Sequence, residues 1–433
     1  MTPAARLSAA IEVLADLAAR RRPVSECLKE WGLKHRFAGS GDRAAIGGIV
    51  YDTLRRRASA AHVMGSDAPR ALVLGMLAVA RGLDGEAIAR LADGSRFAPA
   101  PLTADEQARL AAPDLSNAAP WVKGDYPQWL DPHLAAVFGD ERTEEGRALA
   151  ARAPLDLRVN SLAGTREAVQ EELAHLSPAP GNWSPLALRI ALDAEGKAPP
   201  LTSETAFVKG MVEVQDEGSQ IAAILAAPLP GSQVLDLCAG AGGKTLELAA
   251  LMDNKGQIYA HDSDVRRLKP IHERLQRAHV RNVQVRAPRG AADVLSDLEG
   301  LMDLVLVDAP CTGTGTWRRN PDAKWRVRPG ALAERTNDQE KILDEAARFV
   351  RPGGRLAYVT CSLLDEENGA QIRGFLLRHP EFSAVPATQS VLALGARGLA
   401  LKAAALETAE GLLMTPRRTD TDGFFVSVLQ RAG

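Results

Sequence analysis

The order of apolar and polar positions divides this chain into stretches of different period. From Leu7 onward Ile11, Leu14, Ala15 and Ala18 recur at helical spacing, and comparable patterns cover residues 44–54 and 71–79 without strand alternation between them. The first 90 residues therefore read as all-helical. Residues 95–150 carry Pro99, Pro101, Pro113, Pro120, Pro127 and Pro132 around Trp121 and Trp129, a proline-punctuated connector that breaks any long helix and suggests a domain boundary. Alternating segments 155–159 and 186–190, separated by helical 166–173, predict a small α+β module. After Pro230 short apolar runs at 234–237, 257–260, 283–285, 304–307 and 355–359 alternate with helical 244–251, 264–278 and 340–349. That alternation predicts an α/β fold with a doubly wound parallel sheet, whose ligands lie outside the carboxyl ends of the strands. Residues 423–428 predict a last strand that closes the sheet, and the Ala- and Leu-rich stretch 391–413 is hard to place. The resulting division is a helical domain at 1–140, an α+β module at 150–228 and an α/β domain at 229–433.

Composition narrows the class. With 433 residues, 46% apolar and 24% charged, the chain is an ordinary globular protein with room for about three domains, not a disordered, collagenous or coiled-coil one. A formal charge of -2 offers no general surface for polyanions, so any nucleic-acid contact must come from local clusters. Cys27, Cys238, Cys311 and Cys361 have no paired spacing, which fits free thiols in a reducing compartment and neither a disulfide framework nor a metal site. The apolar run 71–80 is too short to span a membrane, and Arg6, Glu12 and Asp16 stand where a signal peptide needs an uncharged core. A cytoplasmic protein is expected. The basic runs Arg20-Arg21-Arg22 and Arg55-Arg56-Arg57 fall at helix ends, where they fit solvated helix termini and RNA contacts equally well.

The candidate chemistry gathers at strand ends. The first α/β strand runs into Asp236-Leu237-Cys238-Ala239-Gly240-Ala241-Gly242-Gly243-Lys244-Thr245, a glycine turn opening a helix whose free N–H groups suit a carboxylate or phosphate. Walker spacing is absent, which disfavours NTP hydrolysis. At the end of the second strand Asp262 can accept from both hydroxyls of a ribose, so turn and carboxylate together indicate a nucleoside cofactor. The fourth strand continues into Asp308-Ala309-Pro310-Cys311-Thr312-Gly313-Thr314-Gly315 and the fifth into Thr360-Cys361-Ser362. In the usual doubly wound order strands one, four and five are neighbours, about 4.8 Å apart, and two thiols and a carboxylate converge on one crevice. A single buried cysteine is more often an inert hydrophobe, whereas two at loop openings on the functional edge read as reactive. Farther on, Trp317, Arg318, Arg319, Lys324, Trp325, Arg326 and Arg328 set five cations against Asp322. Cations that neutralise phosphates, interleaved with rings that stack on bases, make this an RNA-binding candidate, the alternative being a charged loop packed by two tryptophans.

Taken in this order, with Glu366-Glu367-Asn368, Arg158-Val159-Asn160, residues 214–220 and residues 422–425, these motifs resemble the AdoMet-dependent RNA cytosine-C5 methyltransferases of the Sun/RsmB type over residues 150–433. The helical start resembles the NusB-like RNA-binding domain of the bacterial ribosomal RNA members. The resemblance implies a Rossmann-like class I methyltransferase domain. It implies S-adenosyl-L-methionine bound by Cys238, Ala239, Gly240, Ala241, Gly242, Gly243, Lys244, Asp262 and Asp308. It makes Cys361 the nucleophile on carbon 6 of cytosine, Asp308 the partner of ring nitrogen 3, and Cys311 the group that assists breakdown of the adduct. It also implies an RNA partner, small-subunit ribosomal RNA foremost, and a monomer without metal. One departure stands out: where the family has an aspartate near the adenine, this chain reads Arg286-Ala287-Pro288-Arg289-Gly290, with Asp293 a loose candidate. Transfer RNA as substrate remains open. A non-catalytic RNA-binding assembly factor is opposed by the intact Cys361, Cys311 and Asp308, and a nicotinamide oxidoreductase has no need of two thiols at those strand ends.

Overall fold

The computed structural model describes residues 1–433 except Arg21, Ala194, Glu195, Lys197 and Ala291. It divides into two compact units, one containing Met1–Arg152 and Trp317–Val327, the other Ala153–Leu192, Ala198–Thr316 and Arg328–Gly433. Among the described residues no helix is long and apolar enough to cross a membrane.

The first unit is helical. Helices Pro3–Arg20, Val24–Lys34, Ser40–Arg55, Arg57–Met64 and Pro69–Val79 bury Leu7, Val13, Trp31, Ile46, Val50, Leu72 and Met76 in one core. At Gly75 a Cβ would come within 2.6 Å of the Ala60 carbonyl, so glycine permits two helices to touch backbone to backbone. The proline-rich stretch makes only short helices, Ala104–Ala111, Pro120–Lys123, Asp131–Phe138 and Arg142–Leu149. Pro120 and Pro132 sit at their starts, where a missing N–H costs nothing. This stretch packs into the helical unit through buried Tyr126, Leu130 and Leu134.

Both basic runs are engaged inside this unit. Arg20 and Arg22 each lie 2.8 Å from Asp16, while Arg21 lies outside the described residues. Arg55 donates to the Arg318 carbonyl, Arg56 pairs with buried Asp125, and Arg57 lies over the Trp325 ring.

In the second unit, β1 (Leu155–Val159), β2 (Ala179–Pro180), β3 (Ala187–Ile190) and β4 (Val212–Val214) form a 4-stranded antiparallel sheet in the order β2-β3-β1-β4. Next along the chain come β5 (Gln233–Asp236), β6 (Gln257–Ala260), β7 (Val283–Val285), β8 (Met302–Asp308), β9 (Val350–Thr360) and β10 (Phe382–Ala384). Strands β11 (Leu406–Glu407), β12 (Leu412–Met414) and β13 (Phe424–Arg431) complete a 9-stranded sheet ordered β11-β12-β13-β9-β8-β5-β6-β7, with β10 on β13. Strands β5 to β9 are mutually parallel, and β8 is buried along most of its length, as a sheet covered on both faces requires. The order reverses at β5, which has β8 on one side and β6 on the other, so the crevice opens beyond Asp236.

Two expectations are corrected here, and one stretch left open is placed. The last strand does not close the sheet: β13 lies inside it, antiparallel to β9, with the hairpin of β11 and β12 beyond. The stretch 391–413 supplies that hairpin after the short helix Gly398–Ala404. The expected helix 264–278 is two, Val265–Leu268 and Ile271–Arg277, parted at Pro270, whose ring and missing N–H break the ladder.

Candidate active site

Beyond β5 the chain turns through Gly240 and Gly242, both with positive φ (51° and 84°), into the helix Gly243–Leu251. A side chain at 242 would also collide with Ile271, its Cβ 2.6 Å from Cγ1, whereas a Cβ at Gly243 would meet nothing within 4 Å. The turn is thus fixed from behind and open in front. Asp262, buried at the end of β6, accepts the amides of Gly240 and Asp264, each at 2.9 Å, so it shapes the turn that it borders. At the end of β5, Asp236 Oδ2 accepts the Thr245 hydroxyl at 2.7 Å, while its buried Oδ1 has no partner. Burial pushes this carboxyl up to about 7. An unsatisfied carboxylate oxygen beside an open glycine turn fits a cofactor that brings positive charge and N–H donors. Burial, followed by the charge of Asp236, holds the Cys238 thiol well above the ordinary range.

At the ends of β8 and β9 the expected residues meet. Lys244 Nζ donates to Asp308 Oδ2 at 2.7 Å and lies 5.2 Å from the centre of the Phe424 ring. Burial works against the ammonium, but the charge and hydrogen bond of Asp308 hold it above a normal lysine. Cys311 and Cys361 sulfurs are 3.3 Å apart, in hydrogen-bond contact and well outside the S–S bond length of roughly 2.05 Å. That contact first, and burial second, raise the Cys311 thiol well above its usual range, so Cys311 keeps its proton while both thiols are free. The loop after Asp308 is stitched to β9 by Ala309 N to the Val359 carbonyl (2.8 Å) and Gly315 N to the Cys361 carbonyl (2.9 Å). Gly423 N in turn donates to the Gly315 carbonyl at 2.9 Å. A Cβ at Gly315 would stand 2.3 Å from the Gly423 carbonyl oxygen, which explains the glycine at both positions.

Sequence reasoning missed what lies beneath the turn. Buried Arg158, on β1, donates through Nη1 to the Gly243 carbonyl (2.8 Å), to Glu247 Oε2 (3.3 Å) and to the Gln215 side chain. Gln215 Nε2 donates to the same Glu247 oxygen at 3.0 Å, and burial pushes Glu247 up to about 7. The signal was the Arg158-Val159-Asn160 motif, which had no role without its partners. Asp293 is exposed and caps Leu295 N at 3.0 Å, an interaction that turns its Oδ1 to its own loop.

The expected RNA surface is not assembled as read. Trp317, Arg318 and Lys324 are buried. Trp325 Nε1 donates to the Leu54 carbonyl at 2.7 Å, and Lys324 Nζ donates to the Arg55 carbonyl at 3.2 Å with the Trp317 and Trp325 rings around it. Burial lowers this ammonium to about 7. These side chains are core of the helical unit. Arg319 is half-buried, whereas Arg326 and Arg328 are exposed, Arg326 pairing with Asp322 at 3.2 Å.

The profile of the family described as 16S rRNA methyltransferase RsmB/F matches residues 223–430. A probable ribosomal RNA small subunit methyltransferase B of Synechocystis is 32% identical over 316 residues, 71% of this chain and 67% of that protein. The ribosomal RNA small subunit methyltransferase B of Sodalis glossinidius is 34% identical over 69% of this chain and 64% of its own length. That of Cronobacter sakazakii is 32% identical over 75% and 70%. The chain thus spans about two thirds of the length of these relatives. Among solved structures, that of PH0851 superposes with TM-score 0.71 at 28% identity, covering 100% of this chain and 99% of the other. NSun6 from Pyrococcus horikoshii, solved with SFG, shares the fold at TM-score 0.60 and 22% identity over 71% of this chain and 98% of its own. With the glycine turn, the Lys244–Asp308 pair and the paired thiols already in place, these matches establish that the chain belongs to the RsmB/F family of S-adenosyl-L-methionine-dependent methyltransferases.

Proposed function

We propose that this protein methylates carbon 5 of a cytosine in RNA, small-subunit ribosomal RNA foremost, through a covalent adduct with Cys361. The observation that carries the reading is the contact of two free thiols at 3.3 Å on the open ends of adjacent parallel strands. Carbon 5 of an intact cytosine is too weak a nucleophile. Attack of the Cys361 thiolate on carbon 6 forms an S–C bond and moves the ring electron pair onto carbon 5. Asp308, hydrogen-bonded to the Lys244 ammonium, meets ring nitrogen 3 and hands it a proton that Lys244 can supply, relieving the negative charge that builds on the ring. Asp236, Asp262 and the turn from Cys238 to Lys244 would hold S-adenosyl-L-methionine, which supplies the methyl group. Once Cys361 is a thioether, the hydrogen bond that kept Cys311 protonated is gone. Cys311 can then ionise and take the carbon 5 proton, the S–C bond breaks, and Cys361 leaves as thiolate.

The test is to map 5-methylcytosine in cellular RNA with and without the gene. Loss of a cytosine mark in small-subunit ribosomal RNA is expected. A loss confined to transfer RNA would move the substrate, and no change in any RNA would defeat the reading.

A further inference from the structure

We propose that Glu367 is a positioning residue that holds the two active-site thiols in register, an inference resting on the covalent reading above. Glu367 ends the short turn Asp365–Glu367 after β9 and is fully buried. Oε1 accepts from the Thr312 amide at 2.7 Å and from Gln339 Nε2 at 3.1 Å. Oε2 accepts from the hydroxyls of Thr312 and Ser362. The residue's own carbonyl accepts the Tyr358 hydroxyl at 2.7 Å. Thr312 follows Cys311 in one loop and Ser362 follows Cys361 in the other. A single carboxylate thus grips the neighbour of each thiol.

All four donors are neutral, and Glu367 has no cationic partner among the described residues. Burying a carboxylate this way is costly, and an amide would bridge neutral groups more cheaply. What the carboxylate adds is charge. After the Cys361 hydrogen bond, burial and the charge of Cys361, the charge of Glu367 also disfavours a Cys311 thiolate. Among the described residues the other titratable groups that interact with the pair include Tyr358 on β9, near Cys311, and Lys244 with its partner Asp308, near Cys361. Of the two carboxylates, Asp308 is neutralised by Lys244 and Glu367 is not. Glu367 therefore adds to the Cys361 contact and burial in keeping Cys311 a thiol, while its bonds to Thr312 and Ser362 fix the distance between the two sulfurs.

Iodoacetamide alkylation of Cys311, followed by peptide mass spectrometry against pH on the full-length protein without RNA, tests this directly. Glu367→Gln should lower the Cys311 midpoint by about one pH unit or more. It should reduce kcat roughly tenfold or more while leaving AdoMet affinity by calorimetry unchanged. Glu367→Asp, which keeps the charge, should return the midpoint towards wild type. An unmoved Cys311 midpoint in Glu367→Gln, or a loss of kcat that only tracks lost thermal stability and AdoMet binding, overturns the proposal. Wild-type adduct on a denaturing gel is scored separately: its absence defeats the covalent reading, and the alkylation shift still decides the role of Glu367.

Discussion

Two thiols that share one hydrogen bond cannot act in the same way at the same time. Cys311 is held protonated by its neighbour and by burial, so under the proposed covalent mechanism the first bond to cytosine would fall to Cys361. Cys361→Ala should abolish both methyl transfer and covalent RNA complex. Cys311→Ala should let the adduct form and be methylated but slow its release, so a protein–RNA band resistant to denaturing electrophoresis accumulates when AdoMet is present. The opposite pattern exchanges the roles, and full activity in both variants removes the covalent mechanism. Asp262 presents a different residue-level case, because its oxygens already accept the Gly240 and Asp264 amides. A carboxylate has further lone pairs for ribose hydroxyls, so if Asp262 holds the cofactor as proposed, Asp262→Ala removes those bonds and the brace of the turn together. AdoMet affinity should fall about tenfold or more by calorimetry, and an unchanged affinity takes Asp262 out of the site.

Among elements, the strands of the parallel sheet were the most legible, since apolar runs buried on two faces leave a strong local signal. Their order could be inferred, and with it the meeting of Asp308, Cys311 and Cys361. Where β13 lies was not legible, because pairing between residues far apart in sequence leaves no local mark. Within 317–328 the buried Trp317, Arg318 and Lys324 were not legible for a related reason: long cationic stems pack as apolar groups, and composition does not tell a buried lysine from an exposed one. Two variants separate the meanings of this segment. In the folded chain Lys324 titrates near 7, below the unfolded value, so the native state binds fewer protons and stability from this group rises with pH above about 7; below it the buried charge costs in full. Lys324→Met should therefore raise the melting temperature near pH 6 and leave RNA affinity unchanged. Arg326→Glu with Arg328→Glu should instead weaken RNA binding and flatten its salt dependence by roughly one unit of slope per lost phosphate contact. Unchanged RNA affinity in the double variant would leave this segment a purely structural element.

At the scale of the whole molecule, the small antiparallel module and the large sheet fall in one compact unit, and buried polar links show how they are joined. Arg158 reaches the Gly243 carbonyl and Glu247, Trp183 Nε1 donates to the Thr419 carbonyl (2.7 Å), and Asp216 accepts the amide of Asp422 (3.1 Å). The motifs were visible in the sequence, but their partnership was not, because each partner lies on a distant segment. Two of the buried acids carry a consequence for the fold. Asp236 and Glu247 both titrate near 7 in the folded chain, well above their ordinary values, and burial is the main cause in each. Between about pH 4 and 7 the native state therefore holds protons that the unfolded chain has released, so the stability from these groups is full at low pH and is lost as pH rises. A full proton corresponds to about 1.4 kcal/mol per pH unit. Thermal melts of the cofactor-free protein from about pH 5 to 6.5, where Lys324 keeps most of its charge, read the effect by comparison with a variant. Glu247→Gln, whose carbonyl can still accept from Arg158 and Gln215, should flatten the decline that wild type shows. An equally steep decline in the variant would mean that Glu247 stays ionised beside Arg158 across the range, and that an ordinary buried ion pair supports the cofactor turn.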